Sequence, residues 1–300
     1  MKPTFQIAEE KGNLVLREVN DFCLDQIMDC GQAFRFLPSA EGIWHGVALG
    51  RVLALRQTGG ELTFFQMSRE EFEAKWFRYF ALDEDYAAIK TKICTDCFMA
   101  QALEMGGGIR ILKQELWEML ITFLLSQNNN IPRIRRMVQS LCAAGGAPLE
   151  TEAGVCYDFP SPQALTDMGL ARLGGLGLGY RDKYVYEAAR RVSGGELNLS
   201  DLTDLPTGDA RRLLMELPGI GGKVADCILL FGMARYEVCP HDVWVKRIFT
   251  EKYEIKKITE KKGYAMASQK WGELAGIAQQ YLFYAARGQG RGKNTQEEAQ

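Results

Sequence analysis

Between positions 217 and 223 the chain reads Leu-Pro-Gly-Ile-Gly-Gly-Lys, and no single helix can run through it. Pro218 lacks an amide donor, while Gly219, Gly221 and Gly222 open backbone conformations closed to other residues. Residues 209–217 read as a helix that stops there. Residues 223–234 read as a second helix, with Val224, Ile228, Leu229 and Phe231 on or near one face. The segment is therefore two helices joined by a tight hairpin. Amide groups at the start of the second helix point outward, and such amides seat phosphate. A plain corner, with glycines for close packing, is the alternative these residues leave open.

Two side chains add chemistry to the corner. Lys223 stands at the mouth of the second helix, where the dipole and partial burial disfavour a charged amine. A lysine that reacts as a nucleophile needs its amine free. Asp242 comes 19 residues later, ahead of the amphipathic run Val243-Trp244-Val245-Lys246-Arg247-Ile248-Phe249. It is a natural N-cap, and capping is compatible with catalysis. A helix over 223–234 plus a short turn over 236–241 brings the chain back to its starting end. Lys223 and Asp242 can then face one cleft.

The string LPGIGGKVADC followed by Asp242 resembles the helix-hairpin-helix Gly/Pro…Asp superfamily of DNA base-excision glycosylases. Four further segments resemble its 8-oxoguanine DNA glycosylase branch: CGQAFRF (30–36), SQNNNIPRI (126–134), LGLGYRDKYV (176–185) and GIAQQYLF (276–283). They occur in the family's order and span most of the chain. The resemblance implies a bifunctional enzyme. The Lys223 amine would attack C1′ of a flipped nucleotide, and the resulting Schiff base would permit strand cleavage by β-elimination. Asp242 would stabilise positive charge on the sugar. A neutral amine and an anion near a cationic transition state suit that chemistry, and the base must first leave the stack.

The same resemblance assigns a reader to each strand. The lesion carries a hydrogen on N7 where guanine has a lone pair, and one carbonyl aimed there would accept the first and repel the second. That carbonyl would belong to Gly31, where a glycine allows close approach. Cys227, four residues after Lys223, and Phe283 would flank the base, and Gln279 would bond its pairing edge. Asn128 would fill the gap in the duplex, Arg133 and Arg181 would read the orphaned cytosine, and Tyr180 would wedge the kinked step. Gly219, Gly221 and Gly222 would offer hairpin amides to the DNA backbone. Ordinary readings stand beside these: core packing for Cys227 and Phe283, a turn for Gly31 and the Asn run, a solvated face for Gln279 and the arginines. One departure is plain. The family often has a histidine two residues after the aspartate, where this chain has Trp244, and His241 lies just before Asp242 instead.

Composition sets outer limits. Three hundred residues suit one or two domains. There is no long apolar run for a membrane span, and the N-terminus does not read as a signal peptide. Eight cysteines without a scaffold pattern fit a reducing compartment. Cys94 and Cys97 form a lone CxxC with no second pair or nearby histidine, so no metal site is expected. No cysteine follows Cys239, which disfavours the branch that carries a four-cysteine iron–sulfur cluster near its C-terminus. No cofactor is expected; a monovalent or divalent cation on the hairpin backbone is the one inorganic group the reading admits. The net charge of −2 is unlike a generic DNA binder. It is unevenly spread: residues 1–120 hold 13 basic and 18 acidic side chains, residues 121–300 hold 23 and 20. The expected partner is double-stranded DNA containing 8-oxoguanine, bound by a monomer. The expected location is with the DNA, cytoplasmic in a bacterium or nuclear in a eukaryote.

Short alternating runs over 5–7, 14–17, 33–36, 43–49, 51–57 and 62–66 read as strands, and helical spacing dominates from 86 to 287. The fold expected is α+β. An N-terminal antiparallel β domain (1–98, TBP-like) precedes a larger all-helical domain (99–288) with the hairpin, then a disordered tail (289–300). Two other readings compete. A glycosylase for another damaged base could keep the aspartate without the lysine. A non-catalytic helix-hairpin-helix module would have no need of Lys223, Asp242, Cys227 and Gln279 together.

Overall fold

The computed structural model describes residues 5–151, 154–255 and 257–297, with side chains described as far as residue 288. Six strands form one antiparallel sheet in the order β1-β2-β6-β5-β4-β3. They are β1 (Gln6–Glu10), β2 (Asn13–Arg17), β3 (Leu37–Pro38), β4 (Trp44–Ala48), β5 (Arg51–Thr58) and β6 (Glu61–Phe64). Register places Leu14 and Leu55 opposite Phe64, and Leu16 opposite Leu62. These side chains form one apolar face, as a period of two requires. A helical stretch beginning at Arg69, N-capped by Ser68, lays Phe72, Trp76 and Phe80 on that face. Phe64 meets Phe72 and Phe80 edge to face at 5.2 and 5.5 Å.

Residues 33–36, expected as a strand, are not one. The chain there leaves Gly31 at φ +85° and is held by side chains instead of a ladder. Gln32, fully buried, donates to the Arg110 carbonyl (2.8 Å) and accepts from the Leu112 amide (2.8 Å), while Gln114 donates to the Gln32 carbonyl (3.0 Å). A buried amide with its donors and acceptors satisfied fixes a loop as firmly as a strand would.

The second core belongs to the helices. Helix Leu116–Leu125 is buried on nearly every side, which explains its unbroken apolar sequence. It packs on helix Gly222–Met233, where Phe123 stacks on Phe231 with centroids 5.3 Å apart. Helices Ile131–Gly145, Pro162–Gly174, Asp182–Ser193 and Thr207–Met215 complete that side. A small hairpin, β7 (Pro148–Thr151) and β8 (Gly154–Tyr157), interrupts them. Tyr86 and Ile93 pack in the helical core and Leu82 in the sheet core. The two cores interleave along the chain, since Cys30 and Phe34 pack with the helices and Leu112 with the sheet.

The last helix, Ala275–Glu297, is bonded to two distant stretches of backbone. Gln280 donates to the Cys30 carbonyl and the Tyr281 hydroxyl to the Ile109 carbonyl, each at 2.7 Å. The helix also continues through 289–297, where the sequence suggested disorder. No proline interrupts that stretch; its Gln, Arg, Lys and Glu residues favour helix, while Gly290 and Gly292 work against it. Residues 298–300 of the expected tail lie outside the described residues.

Candidate active site

The hairpin forms as its residues require. Gly219 adopts φ +88°, and a Cβ there would collide with the Tyr184 ring. Gly221 is the N-cap of helix Gly222–Met233 and has open space around it. Gly222 is the first helical residue, and a Cβ there would collide with Glu260 and Arg211. The three glycines thus serve three ends: a left-handed turn, an open amide surface and a close helix contact. The helix ends at Ala234, left-handed at φ +52°, with the Arg235 amide returning to the Leu229 carbonyl at 3.0 Å.

Lys223 is half-buried one residue into that helix, its Nζ 5.9 Å from the Phe123 ring centroid. Cys227, one turn on, is buried, and desolvation pushes its thiol up to about 11 against the pull of Lys223. It is a neutral, apolar wall beside the amine. Asp242 caps helix Val243–Glu251, accepting from the Val245 amide at 2.7 Å. Burial raises its pKa; the Val245 and Trp244 amides, Lys223 and Lys246 pull it back. Lys223 is thus close enough to Asp242 to act on its carboxylate.

The second wall comes from the last helix and the loop at Gly31. A Cβ built on Gly31 would stand 3.5 Å from Ile131 and 3.6 Å from the Phe283 ring, so the glycine backbone lies against that ring. Gln279 is buried rather than solvated, and its Oε1 has no hydrogen-bond partner among the described residues. A buried acceptor left open is costly unless something fills it. The last helix packs on the helix that Asp242 caps, and at Gly276 it presses on Leu230 of the lysine helix. The last helix therefore touches the loop at Gly31, the lysine helix and the helix that Asp242 caps.

The third wall holds the residues expected to touch the opposite strand. Asn128 is exposed and left-handed at φ +43°, while Asn130 caps helix Ile131–Gly145 through the Arg133 amide. Tyr180 is 52 % exposed, edge-on to Tyr184 at 6.1 Å, as a wedge would need. Arg133 is exposed. Arg181, expected as a free fork, is buried and spent on carbonyls. It donates to Gln127 (3.0 Å), to Asn128 (3.1 Å) and to Leu178 (3.3 Å). Five rigid donors on one planar group suit convergent carbonyls, so in the free protein the side chain braces the Asn128 loop. The arginines still converge: Nη1 of Arg181 and Nη2 of Arg133 lie 3.7 and 4.0 Å from a Cβ built on Gly179.

His241 does not stand in for the missing histidine. It is buried between Phe249 and Tyr264, with neither ring nitrogen hydrogen-bonded among the described residues, and burial lowers its pKa. Trp244 is half-buried on the first turn after Asp242. Cys94 and Cys97 are free and exposed. Among the described residues no group of three His, Cys, Asp or Glu could hold a metal ion, and no helix is long and apolar enough to cross a membrane.

Sequence reasoning missed the polar groups behind the lysine helix. Asp226 is fully buried and bonded to Arg211 at 2.7 Å, yet it sits in an apolar string where nothing marks it out. Gln32 was also passed over, although it lies in one of the segments carrying the resemblance.

Comparison with known proteins bears on this geometry. Residues 14–120 match the 8-oxoguanine DNA glycosylase N-terminal domain, and residues 121–273 match the HhH-GPD superfamily of base excision DNA repair proteins. An N-glycosylase/DNA lyase of Saccharomyces cerevisiae is 32% identical, with 95% of this chain and 88% of the yeast protein aligned. An 8-oxoguanine glycosylase/lyase of Clostridium acetobutylicum was solved with double-stranded DNA containing cytosine opposite the lesion. It superposes with a TM-score of 0.91 at 34% identity, covering 95% of this chain and 98% of that one. A 3-methyladenine DNA glycosylase of Archaeoglobus fulgidus shares the fold at a TM-score of 0.74 and 19% identity, covering 91% of this chain and 98% of that one.

Proposed function

The chain belongs to the 8-oxoguanine DNA glycosylase family of HhH-GPD base excision repair proteins, and from that premise we propose that it excises 8-oxoguanine opposite cytosine. The bifunctional name carried by the yeast relative, N-glycosylase/DNA lyase, describes both halves of the proposed reaction. Lys223 Nζ bonds to the sugar C1′ while the N-glycosidic bond breaks, and the departing base takes up a proton. The C1′–O4′ bond of the resulting aminal then opens, the ring oxygen taking a proton as the amine nitrogen forms an iminium with C1′; loss of a C2′ proton then expels the 3′-phosphate. Asp242 faces the developing positive charge from a partly buried position, where a fixed anion acts more strongly than in water.

The observation that carries this reading is the pairing of Lys223 with Asp242 at two helix mouths on one cleft. Support for the choice of base comes from the second wall: an open acceptor on Gln279, a ring at Phe283 and a glycine backbone laid against it. Side chains supply every group the reaction needs, so the reading calls for no cofactor. Arg133 and Tyr180 face outward where the opposite strand would lie, and DNA is the place of action.

The test is excision on duplexes with 8-oxoguanine opposite each of the four bases. The wild-type protein should release base fastest opposite cytosine. Lys223→Gln should bind the same duplex without cutting it. Release by that variant at the wild-type rate would remove Lys223 from its role.

A further inference from the structure

A buried carboxylate stands one turn behind the proposed nucleophile, and the chemistry above does not use it. Asp226 follows Lys223 by three residues on helix Gly222–Met233 and has no exposed surface. Its Oδ1 accepts from Arg211 Nε at 2.7 Å. Another nitrogen of Arg211 pairs with Glu260, and the guanidinium lies 5.5 Å over the Tyr264 ring. The carboxylate–guanidinium–carboxylate chain thus joins three elements: helix Thr207–Met215 before the hairpin, helix Gly222–Met233 after it, and helix Glu260–Trp271. Gly222, which immediately precedes Lys223, rests directly on the Arg211–Glu260 pair, since a Cβ there would collide with both.

An apolar contact would stabilise this joint about as well, because burying charges offsets much of what their attraction returns. What directional bonds add is geometry. A carboxylate and a planar guanidinium fix a distance and a plane, where packed Leu side chains would allow the helices to slide. The quantity fixed here is the angle between the two hairpin helices, and Lys223 rides on the first turn of the second. We propose that Asp226 is a positioning residue for Lys223, holding through Arg211 and Glu260 the hairpin geometry that aims the amine.

The proposal rests on Lys223 being the nucleophile. It gains support from the state of the carboxylate. Burial pushes Asp226 up to about 6, against the pull of Arg211 and of the Tyr264 hydroxyl. That hydroxyl and Asp226 Oδ2 influence each other without reaching hydrogen-bond geometry. Below about pH 6 Asp226 takes a proton, the ion pair weakens, and the joint loosens. The groups that face it or act on it are Arg211 from the first hairpin helix and Glu260 and Tyr264 from the third. Lys223 and Cys227 lie on its own helix, and Cys239, His241 and Asp242 on the segment between. Asp242 is itself raised, so the wild-type acid limb is a composite that only a variant resolves.

The experiment compares wild type, Asp226→Asn and Glu260→Gln in single-turnover base release and duplex affinity from pH 5 to 8, with melting curves to show folding. Asp226→Asn should bind the duplex as wild type does, release base about tenfold more slowly at pH 7.5, and lose the part of the acid limb near pH 6. A folded Asp226→Asn with the wild-type rate and pH profile overturns the proposal. Should that variant fail to fold, Glu260→Gln decides, since Glu260 is exposed and its loss leaves the core intact. Slower release at unchanged affinity supports the joint, and the wild-type rate overturns it. A wild-type protein that releases no base sinks the nucleophile reading first; wild type active and both variants equally fast sinks this one alone.

Discussion

Asp242 shows how one residue can serve two ends. It caps a helix, an ordinary task, and the same carboxylate lies where Lys223 acts on it. Gln279 is the sharper case, because its fold-level cost is visible. Its Oε1 is buried without a donor among the described residues, and an open acceptor of that kind costs about 1–3 kcal/mol. The pairing edge of a flipped base would supply the donor. Gln279→Ala should therefore lower kcat/KM for 8-oxoguanine excision by about tenfold or more while leaving the melting temperature equal or higher. A variant that melts lower and excises normally would make Gln279 a structural residue. Lys223, Asp242 and the three hairpin glycines were legible in the sequence because their spacing has a mechanical meaning. Asp226 and Arg211 were not, because a buried ion pair between helices leaves no periodic trace.

At the scale of elements, the turns were easier to read than the roles of the side chains they carry. The hairpin, the cap at Asp242 and the asparagine turn before helix Ile131–Gly145 follow from local chemistry, and the structure has all three. Residues 33–36 alternate like a strand but pair with nothing, because Gln32 and Gln114 supply the bonds a ladder would have made. Arg181 carries a contact the sequence does not reveal: the carbonyls of Gln127, Asn128 and Leu178 converge on it. The Asn128 loop is thus preset by an arginine, and a preset loop loses less entropy when it enters a duplex.

Across the whole molecule, the proposed site joins distant parts of the chain, Gly31 from the segment between β2 and β3 and Lys223 from helix Gly222–Met233. A buried clamp helps hold them. Arg35, 6% exposed, pairs with Glu118 at 3.1 Å and Asp158 at 3.6 Å and donates to the Tyr157 carbonyl at 2.6 Å. Burial pushes Glu118 up to about 7, with Arg35 pulling it down. A carboxyl raised in the fold favours folding fully below its unfolded pKa, and that contribution fades as pH rises through about 7. Without Arg35 the carboxyl rises further, so ionising it costs more above neutrality. Arg35→Met should cost about 3 kcal/mol near pH 8 and visibly less near pH 6, by chemical denaturation. An equal loss at both pH values would show that Glu118 does not sense the clamp. The proposed role of Lys223 as nucleophile requires a covalent bond between its amine and the DNA. Mixing the protein with duplex carrying 8-oxoguanine opposite cytosine, adding borohydride and mapping the attached residue tests it most directly. A stable protein–DNA adduct through Lys223, absent from Lys223→Gln, is the expected result. Bound, excised DNA with no adduct, or an adduct on another residue, would contradict it.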